Sequence, residues 1–319
     1  MPIVPSDTQV RRHPPILALA TSGSWCSVAL AWRDPHAPEP SPDLTGPQPA
    51  GQAAALAGGL QSACASELAG QAHSQRVLPM ARELLAQAGL QMADIGLIAF
   101  DAGPGSFTGL RIGCGLAQGL ALGLGCPVVP ISSLRALAWP HRRVRVLSAT
   151  DARMSEVYFA QWAPARAGDA AAARLADAAL AVGPPAHLSA LIQEVARAHE
   201  ADRLAVTAYG DDPSGPSGAP AVPGASDASD LSGTPDRWVA AGDAFLRYPE
   251  LADQARAHGA QVLADVFPRA DTIAEWAALA WADGRLQRPD DAVPIYVRNK
   301  VALDVEEQRA LRQARDAAR

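Results

Sequence analysis

A chain of 319 residues with 49% hydrophobic side chains is long enough for two domains, at roughly 100–200 residues each, and for a sizeable core. Its 27 Lys and Arg against 33 Asp and Glu leave a net charge of −6, which argues against a protein that grips nucleic acid unaided through a general basic excess. Cys26, Cys64, Cys114 and Cys126 form no C-x-x-C pair and no zinc spacing, so free thiols in a reducing compartment are expected.

The first fifteen residues, MPIVPSDTQVRRHPP, lack the apolar core of a secretory signal, and a cytoplasmic location is expected. Ile16–Ala20 and Cys26–Trp32 then read as two apolar strands of a hairpin joined by TSGS. In nucleotide-binding folds that begin this way an acid ends the first strand; here Ala20 stands there. Residues 34–70 read as an insertion, with the Pro-, Ala- and Gly-rich run Asp34–Gln52 at its heart. In AHSQRVLPMARELLAQAGL, Val77, Met80, Ala81, Leu84, Leu85 and Ala88 share one helical face. Ser74 is the expected N-cap and Gly89 the stop, with Pro79 pushing the regular start a few residues later.

Ile95–Gly103 is a buried strand, which PGSFTG turns into a helix over about Leu110–Gly123. Ile112, Leu116, Leu120 and Leu124 form one stripe of that helix, and Gly115, Gly119 and Gly123 form its neighbour. Each glycine costs on the order of 1 kcal/mol against alanine, so the second stripe implies close backbone approach to an internal sheet or to another subunit. The uncharged tract Ile112–Leu134 is long enough for a membrane span. Its glycines, Gln118, Pro127 and Pro130 make it a buried helix, a turn and a strand instead.

From Val144 the hairpin layout recurs in VRVLSATDARMSEVYFAQW, as a duplicated α/β fold would show. His141–Arg145, HRRVR, reads as a solvated charged loop, with a local basic patch as the alternative. A helix follows with Leu188, Leu191, Ile192 and Val195 inward. After it come a low-complexity insertion over 208–236, a strand and turn in RWVAAGDAF, and a helix beginning at a Thr272–Glu275 capping box and stopping at Gly284.

The spacing of DAGPGSFTGLRIG matches neither a P-loop nor a dinucleotide fingerprint. It serves equally as a tight turn or as a backbone cradle for an anion at a helix N-terminus. Phe107 occupies the nucleophile position of a G-x-S-x-G elbow, which removes that reading. His73 has Val77 at i+4, so no helical histidine pair is present to clamp a metal. Asp151, Arg153 and Glu156 sit at the mouth of the second hairpin, as cleft residues or as a local ion pair.

The segments AFDAGPGSFTGLRIGCGLAQGLALG, AHSQRVLPMARELL, DARMSEVYFAQW, WVAAGDAF and PIYVRNKVA together resemble the TsaB (YeaZ) family of the bacterial tRNA threonylcarbamoyladenosine (t6A) machinery. The resemblance implies an α/β fold of the ASKHA (actin, sugar kinase, Hsp70) type, with two similar lobes of mixed sheet. The lobes would cover 14–138 and 143–302, between tails 1–13 and 303–319. It implies a non-catalytic scaffold for TsaD, the subunit that transfers threonylcarbamoyl to N6 of adenosine 37 in tRNAs reading codons that start with A. TsaE would be the associated ATPase. tRNA would be met only through the complex, ATP and metal would be used by the partners, and the chain would pair with itself when TsaD is absent. The implied partner surface is His73, Ser74, Val77, Leu78, Leu110, Arg111, Cys114, Gly115, Gln118, Gly119 and Leu122. The implied vestigial cleft comprises Thr21, Ser22, Gly103, Gly105, Ser106, Thr108, Asp151, Arg153 and Gly242. Ala20 departs from the acid common at that strand end in the family. The competing reading is an ASKHA-type ATPase or kinase, with Asp101 or Asp151 standing in for the missing acid.

Overall fold

The structure is a computed structural model that describes residues 14–33, 60–70, 72–164, 179–210 and 237–298. Both expected tails and the cores of both insertions lie outside the described residues.

Two five-stranded mixed sheets carry the chain, and they share one topology. In the first, β1 (Ile16–Ala20), β2 (Trp25–Arg33), β3 (Leu60–Leu68), β4 (Leu97–Gly103) and β5 (Val128–Ser132) lie in the order β3-β2-β1-β4-β5. In the second, β6 (Val146–Arg153), β7 (Glu156–Trp162), β8 (Ala181–Gly183), β9 (Val239–Ala241) and β10 (Gln261–Leu263) lie in the order β8-β7-β6-β9-β10. Each opens with an antiparallel hairpin whose first strand pairs in parallel with the fourth, as in Ile16↔Leu97 and Val146↔Val239. The duplication expected from the two hairpins is therefore real at the level of topology.

Every residue of β1 is buried, because both faces of the sheet are covered. The strand's twofold alternation divides them. Leu17 and Leu19 join Val28, Leu30, Ile98 and Phe100 against α1 (His73–Ala88) and α2 (Phe107–Leu124). Ile16, Ala18 and Ala20 join Ala29, Ala31 and Ala99 on the other face, where α7 (Ala270–Ala282) lies on the sheet. Small residues on both partners, with Ala270, Ala274 and Ala277 from the helix, let α7 approach closely.

The final helices of the two halves reach across to the other lobe. α3 (Ser133–Ala138), which follows the first sheet, lies between the sheets, on β6 and β7 of the second as well as on β4 and β5 of the first, and α7, which follows the second, packs on β1 and β2 of the first. Where they meet, the Arg135 guanidinium lies 4.3 Å from the Trp276 ring and 5.0 Å from that of Trp162, a cation–π sandwich that offsets the burial of its charge. Trp139 stands edge-on to Trp276 and donates its indole N–H to Glu275 at 2.8 Å. The second sheet's outer face is closed by α4 (Pro185–Gly210), α5 (Ala244–Arg247) and α6 (Pro249–Ala257), with Trp238, Leu188 and Phe245 at the centre.

Several expectations are corrected. Residues 34–70 are not all insertion, since Leu60–Leu68 pairs with β2 along its whole length. α1 starts at His73 with Ala72 as N-cap, so Ser74 is inside the helix and caps nothing. Pro79 sits within α1 and does not delay it, at the cost of one backbone hydrogen bond. α2 begins three residues earlier than expected, because the Ser106 hydroxyl accepts from the Gly109 N–H. Thr272 and Glu275 form no capping box. α7 starts at Ala270 after Arg269, Thr272 is buried, and Glu275 is taken by Trp139. The boundary 143–302 also fails for its last part, because α7 and residues 287–295 pack on the first sheet and its helices.

Candidate functional site

The glycine loop between β4 and α2 is a cradle, and the chain fills it with its own backbone. A Cβ on Gly105 would lie 2.5 Å from the Ser22 carbonyl oxygen, one on Gly109 2.0 Å from that of Thr21, and one on Gly113 2.4 Å from Thr21 Oγ1. The glycines therefore exist to admit the β1–β2 turn. Hydrogen bonds lock it there: Thr21 Oγ1 donates to the Gly109 carbonyl at 2.9 Å, and the Ser106 N–H donates to the Ser22 carbonyl at 2.6 Å. Of the two readings of this loop, the tight structural turn prevails. Gly103, at φ +114°, brings the backbone within reach of Leu110 and the Ile295 carbonyl. Ser106 and Thr108 are exposed at the rim.

Beneath that turn sits Asp101. The Thr21 and Ser22 N–H groups donate to its two carboxylate oxygens at 2.9 and 3.0 Å. Paired N–H groups at a turn are the usual seat of a bound anion, and here the anion is the chain's own. Burial pushes the Asp101 carboxyl up from 3.8 to about 6, and the hydrogen bonds from Ser22 and Thr21 act against that rise. The residue is fully buried. It therefore cannot replace the acid absent at Ala20 as a metal or phosphate ligand without dismantling the turn.

The second lobe repeats the arrangement with more exposure. Asp243, following β9, accepts the Asp151 N–H at 2.9 Å, and burial raises its carboxyl pKa. A Cβ on Gly242 would lie 2.0 Å from the Ala149 carbonyl oxygen, so this glycine is also a close-approach residue. Asp151 and Arg153 form the local ion pair, at 3.2 Å. Arg153, Met154 and Ser155 all adopt positive φ, an uncommon run for side-chain-bearing residues. Glu156 instead meets Arg298, which also donates to the Ala152 carbonyl at 3.2 Å. Among the described residues, no three His, Cys, Asp or Glu side chains converge as a metal site. His73 is buried at the start of α1, with Nε2 3.3 Å from the Trp25 carbonyl oxygen.

The implied partner surface separates into two layers. His73, Val77, Leu110 and Cys114 are buried in the chain's own core, so they support the surface from behind and cannot themselves meet a partner. Ser74, Arg111, Gly115, Gly119 and Leu122 are exposed, while Leu78 and Gln118 are half-buried. The inward stripe of α2 is Leu110, Gly113, Cys114, Ala117 and Ala121, and the stripe of Ile112, Leu116, Leu120 and Leu124 is half-buried along its flank. The glycine stripe faces away from the sheet: a Cβ on Gly115, Gly119 or Gly123 would meet nothing within 4 Å. Phe107 and Leu122, 42% and 57% exposed, lie along that same bare side. α2 is the one helix among the described residues long and apolar enough to cross a membrane, yet it lies along the sheet against β4.

Sequence reasoning missed the strap that borders this face. The Gln118 side-chain amide donates to the Ala292 carbonyl at 2.8 Å, the Ile295 N–H to the Ala102 carbonyl at 2.6 Å, and Arg111 Nε to the Tyr296 hydroxyl at 3.3 Å. Arg111 also lies 3.7 Å above the Phe107 ring. The signal was PIYVRNK itself, an apolar-polar run in which the partner of Tyr296, Arg111, lies 185 residues away.

Comparison with known proteins agrees with this geometry. The family model for TsaD, tRNA N6-adenosine threonylcarbamoyltransferase, matches residues 65–209. The tRNA threonylcarbamoyladenosine biosynthesis protein TsaB of Haemophilus influenzae is 41% identical over 150 residues, 46% of this chain and 52% of that protein. The match thus spans about half of that relative. The Escherichia coli protein of the same description is 31% identical over 243 residues, 74% of this chain and 85% of that one. The solved structure of YeaZ from Pseudomonas aeruginosa superposes with a TM-score of 0.55 at 28% identity, covering 89% of this chain and all of that one. The duplicated lobes are of the ASKHA type, and with 31% identity across most of the Escherichia coli protein the chain belongs to the TsaB family.

Proposed function

We propose that this chain serves t6A formation in tRNA as a docking and activating subunit for TsaD and does not transfer the threonylcarbamoyl group itself. The observation that carries the reading is the contrast between the two glycine sets. Gly105, Gly109 and Gly113 are filled by the chain's own turn, while Gly115, Gly119 and Gly123 face nothing. A helix that bears three glycines with no packing return gives up on the order of 1 kcal/mol at each. A second helix lying against that stripe would recover it through close backbone approach, with Phe107 and Leu122 as apolar anchors. The occupied cradle and the buried Asp101 support a chain that holds no nucleotide tightly, with ATP and metal used by TsaD and the ATPase TsaE. tRNA N6-adenosine threonylcarbamoyltransferase is also the name of the family model that matches residues 65–209.

Reconstitution tests this. The chain, TsaD and TsaE, mixed with tRNA, ATP and the threonylcarbamoyl–AMP adduct that donates the group, are expected to form t6A, and omission of TsaD or of this chain to abolish it. Modified tRNA made by this chain without TsaD would end the proposal. Gly119→Arg is expected to melt within a few degrees of wild type, because the side chain enters open space. It should at the same time lose co-purification with TsaD by at least tenfold. Unchanged co-purification would move the docking surface elsewhere.

A further inference from the structure

At the edge of the second sheet where the parallel strands β6, β9 and β10 begin, there is a depression of about 370 Å³. His141, Arg143, Arg237 and Gln261 line it together with the apolar Pro140, Val144 and Val239, and among the described residues no carboxylate lines it. In a chain of net charge −6, two guanidiniums with no acid beside them among the described lining residues is a local reversal of sign. HRRVR is therefore not the solvated loop its composition suggested. It folds over a pocket completed by Arg237, more than ninety residues further along the chain.

The other basic residues of the segment are committed elsewhere. Arg142 lies 4.5 Å over the Trp139 ring and donates to the Trp139 carbonyl at 3.1 Å, and Arg145 pairs with Asp202 at 2.6 Å. Among the described residues no carboxylate pairs with Arg143 or Arg237, and both are exposed. His141 is half-buried at the pocket wall, and burial keeps its ring below its ordinary pKa.

We propose that this depression is a docking point for the phosphate backbone of tRNA, held by Arg143 and Arg237 with His141 and Gln261 as hydrogen-bonding partners. The assignment rests on the t6A reading above. Two guanidiniums that flank a pocket and meet no carboxylate among the described residues match the planar, bidentate recognition that phosphate oxygens favour. An RNA substrate supplies a row of such groups, so a small basic point on an acidic subunit can position the RNA while adding only a part of its affinity. The pocket touches no bases by this account, and it contributes register and not sequence.

The test is the salt dependence of tRNA binding by the assembled complex, measured with wild type, Arg143→Gln/Arg237→Gln and Arg143→Lys/Arg237→Lys. Each lost phosphate contact lowers the slope of log K against log salt by about 1. The glutamine pair is therefore expected to lower it by about 2 and to weaken binding on the order of tenfold at about 0.15 M salt. The lysine pair should restore most of the slope. Circular dichroism melts of the intact chain should not distinguish the three proteins. An unchanged slope in the glutamine pair overturns the proposal. So does a variant that fails to join its partner subunits, which would assign the pocket to an acidic protein surface. Excess ATP that displaces tRNA from wild type but not from the glutamine pair would assign it to free nucleotide. If no complex assembles, the t6A reading has failed on its own. The intact chain titrated with tRNA at low salt then decides the pocket: binding lost in the glutamine pair supports it, and no binding by wild type overturns it.

Discussion

Asp101 settles what the missing acid at Ala20 means. The turn after β1 keeps the paired N–H groups that a phosphate would use, and it turns them onto a carboxylate from β4. The folded-state value of about 6 lies above the ordinary 3.8. As pH falls, the folded chain takes up this proton before the unfolded chain does. Stability contributed at this site therefore rises as pH falls from about 6 to about 4, by on the order of 3 kcal/mol, and the excess is absent above pH 6. Asp101→Asn removes that titration and sets an amide NH2 against one of the two N–H donors. It is expected to lower stability by about 1–3 kcal/mol at pH 7 and to flatten the pH dependence of urea unfolding between pH 4 and 6. A variant as stable as wild type with the same pH profile would refute this role. Gly109→Ala tests the same contact from the helix side. Its Cβ would lie 2.0 Å from the Thr21 carbonyl oxygen, so one of two backbone segments must move. A loss of about 1–3 kcal/mol is expected, read as a lower thermal midpoint. None of this was legible in the spacing of GPGSFTG, because a glycine that admits an anion and one that admits a carbonyl look alike in sequence.

At the scale of the element, α2 carries the docking argument and also the clearest lesson in what periodicity hides. The helix was legible, but its inward face was not. The face turned to the sheet is Leu110 together with the smaller Gly113, Cys114, Ala117 and Ala121, and the last three share one core with the bulky Leu19 and Phe100 of the sheet. The larger Leu116, Leu120 and Leu124 flank that seam. Strand β3 was missed for a related reason. LQSACASEL is built of small residues that meet α7 and a hydroxyl pair, Ser27 Oγ to Ser66 Oγ at 2.8 Å, so it lacks the branched and aromatic residues that mark strands. The bare glycines give a prediction with opposite signs. Gly119→Ala should stabilise the isolated chain by up to about 1 kcal/mol, since Gly119 has ordinary helical geometry and open space beyond it. The added methyl should weaken association with TsaD, measured by isothermal titration, if a helix packs on that stripe. Stabilisation with unchanged affinity would show that the glycines serve no partner.

For the whole molecule, the two hairpins announced a duplication, yet the sequence pattern could not tell which sheet each helix covers. Amphipathicity marks an apolar face without naming its counterpart. The crossing of α3 and α7 between the lobes makes them interdependent. Ile16, Ala18, Ala20, Ala29 and Ala31 are covered by a helix that follows the second sheet, and Val146 and Ala160 share their cluster with Leu134 and Leu137 from α3. Arg135 between Trp162 and Trp276 fastens the crossing. A fragment of residues 14–138 would hold a complete first sheet with α1 and α2 in place, and it would lose the cover that α7 gives to β1 and β2, exposing most of one apolar face of that sheet. A sheet with an apolar face left to water is not expected to hold fixed packing. The fragment should bind a hydrophobic dye and show no cooperative transition in scanning calorimetry, whereas the intact chain should unfold in a single one. Addition of a second fragment, residues 139–298, should restore the transition, because it supplies α7 to the first sheet and receives α3 on its own. A first fragment that melts cooperatively at the temperature of the intact chain would show instead that each lobe is a self-sufficient domain, and that the crossing helices decorate a core already complete.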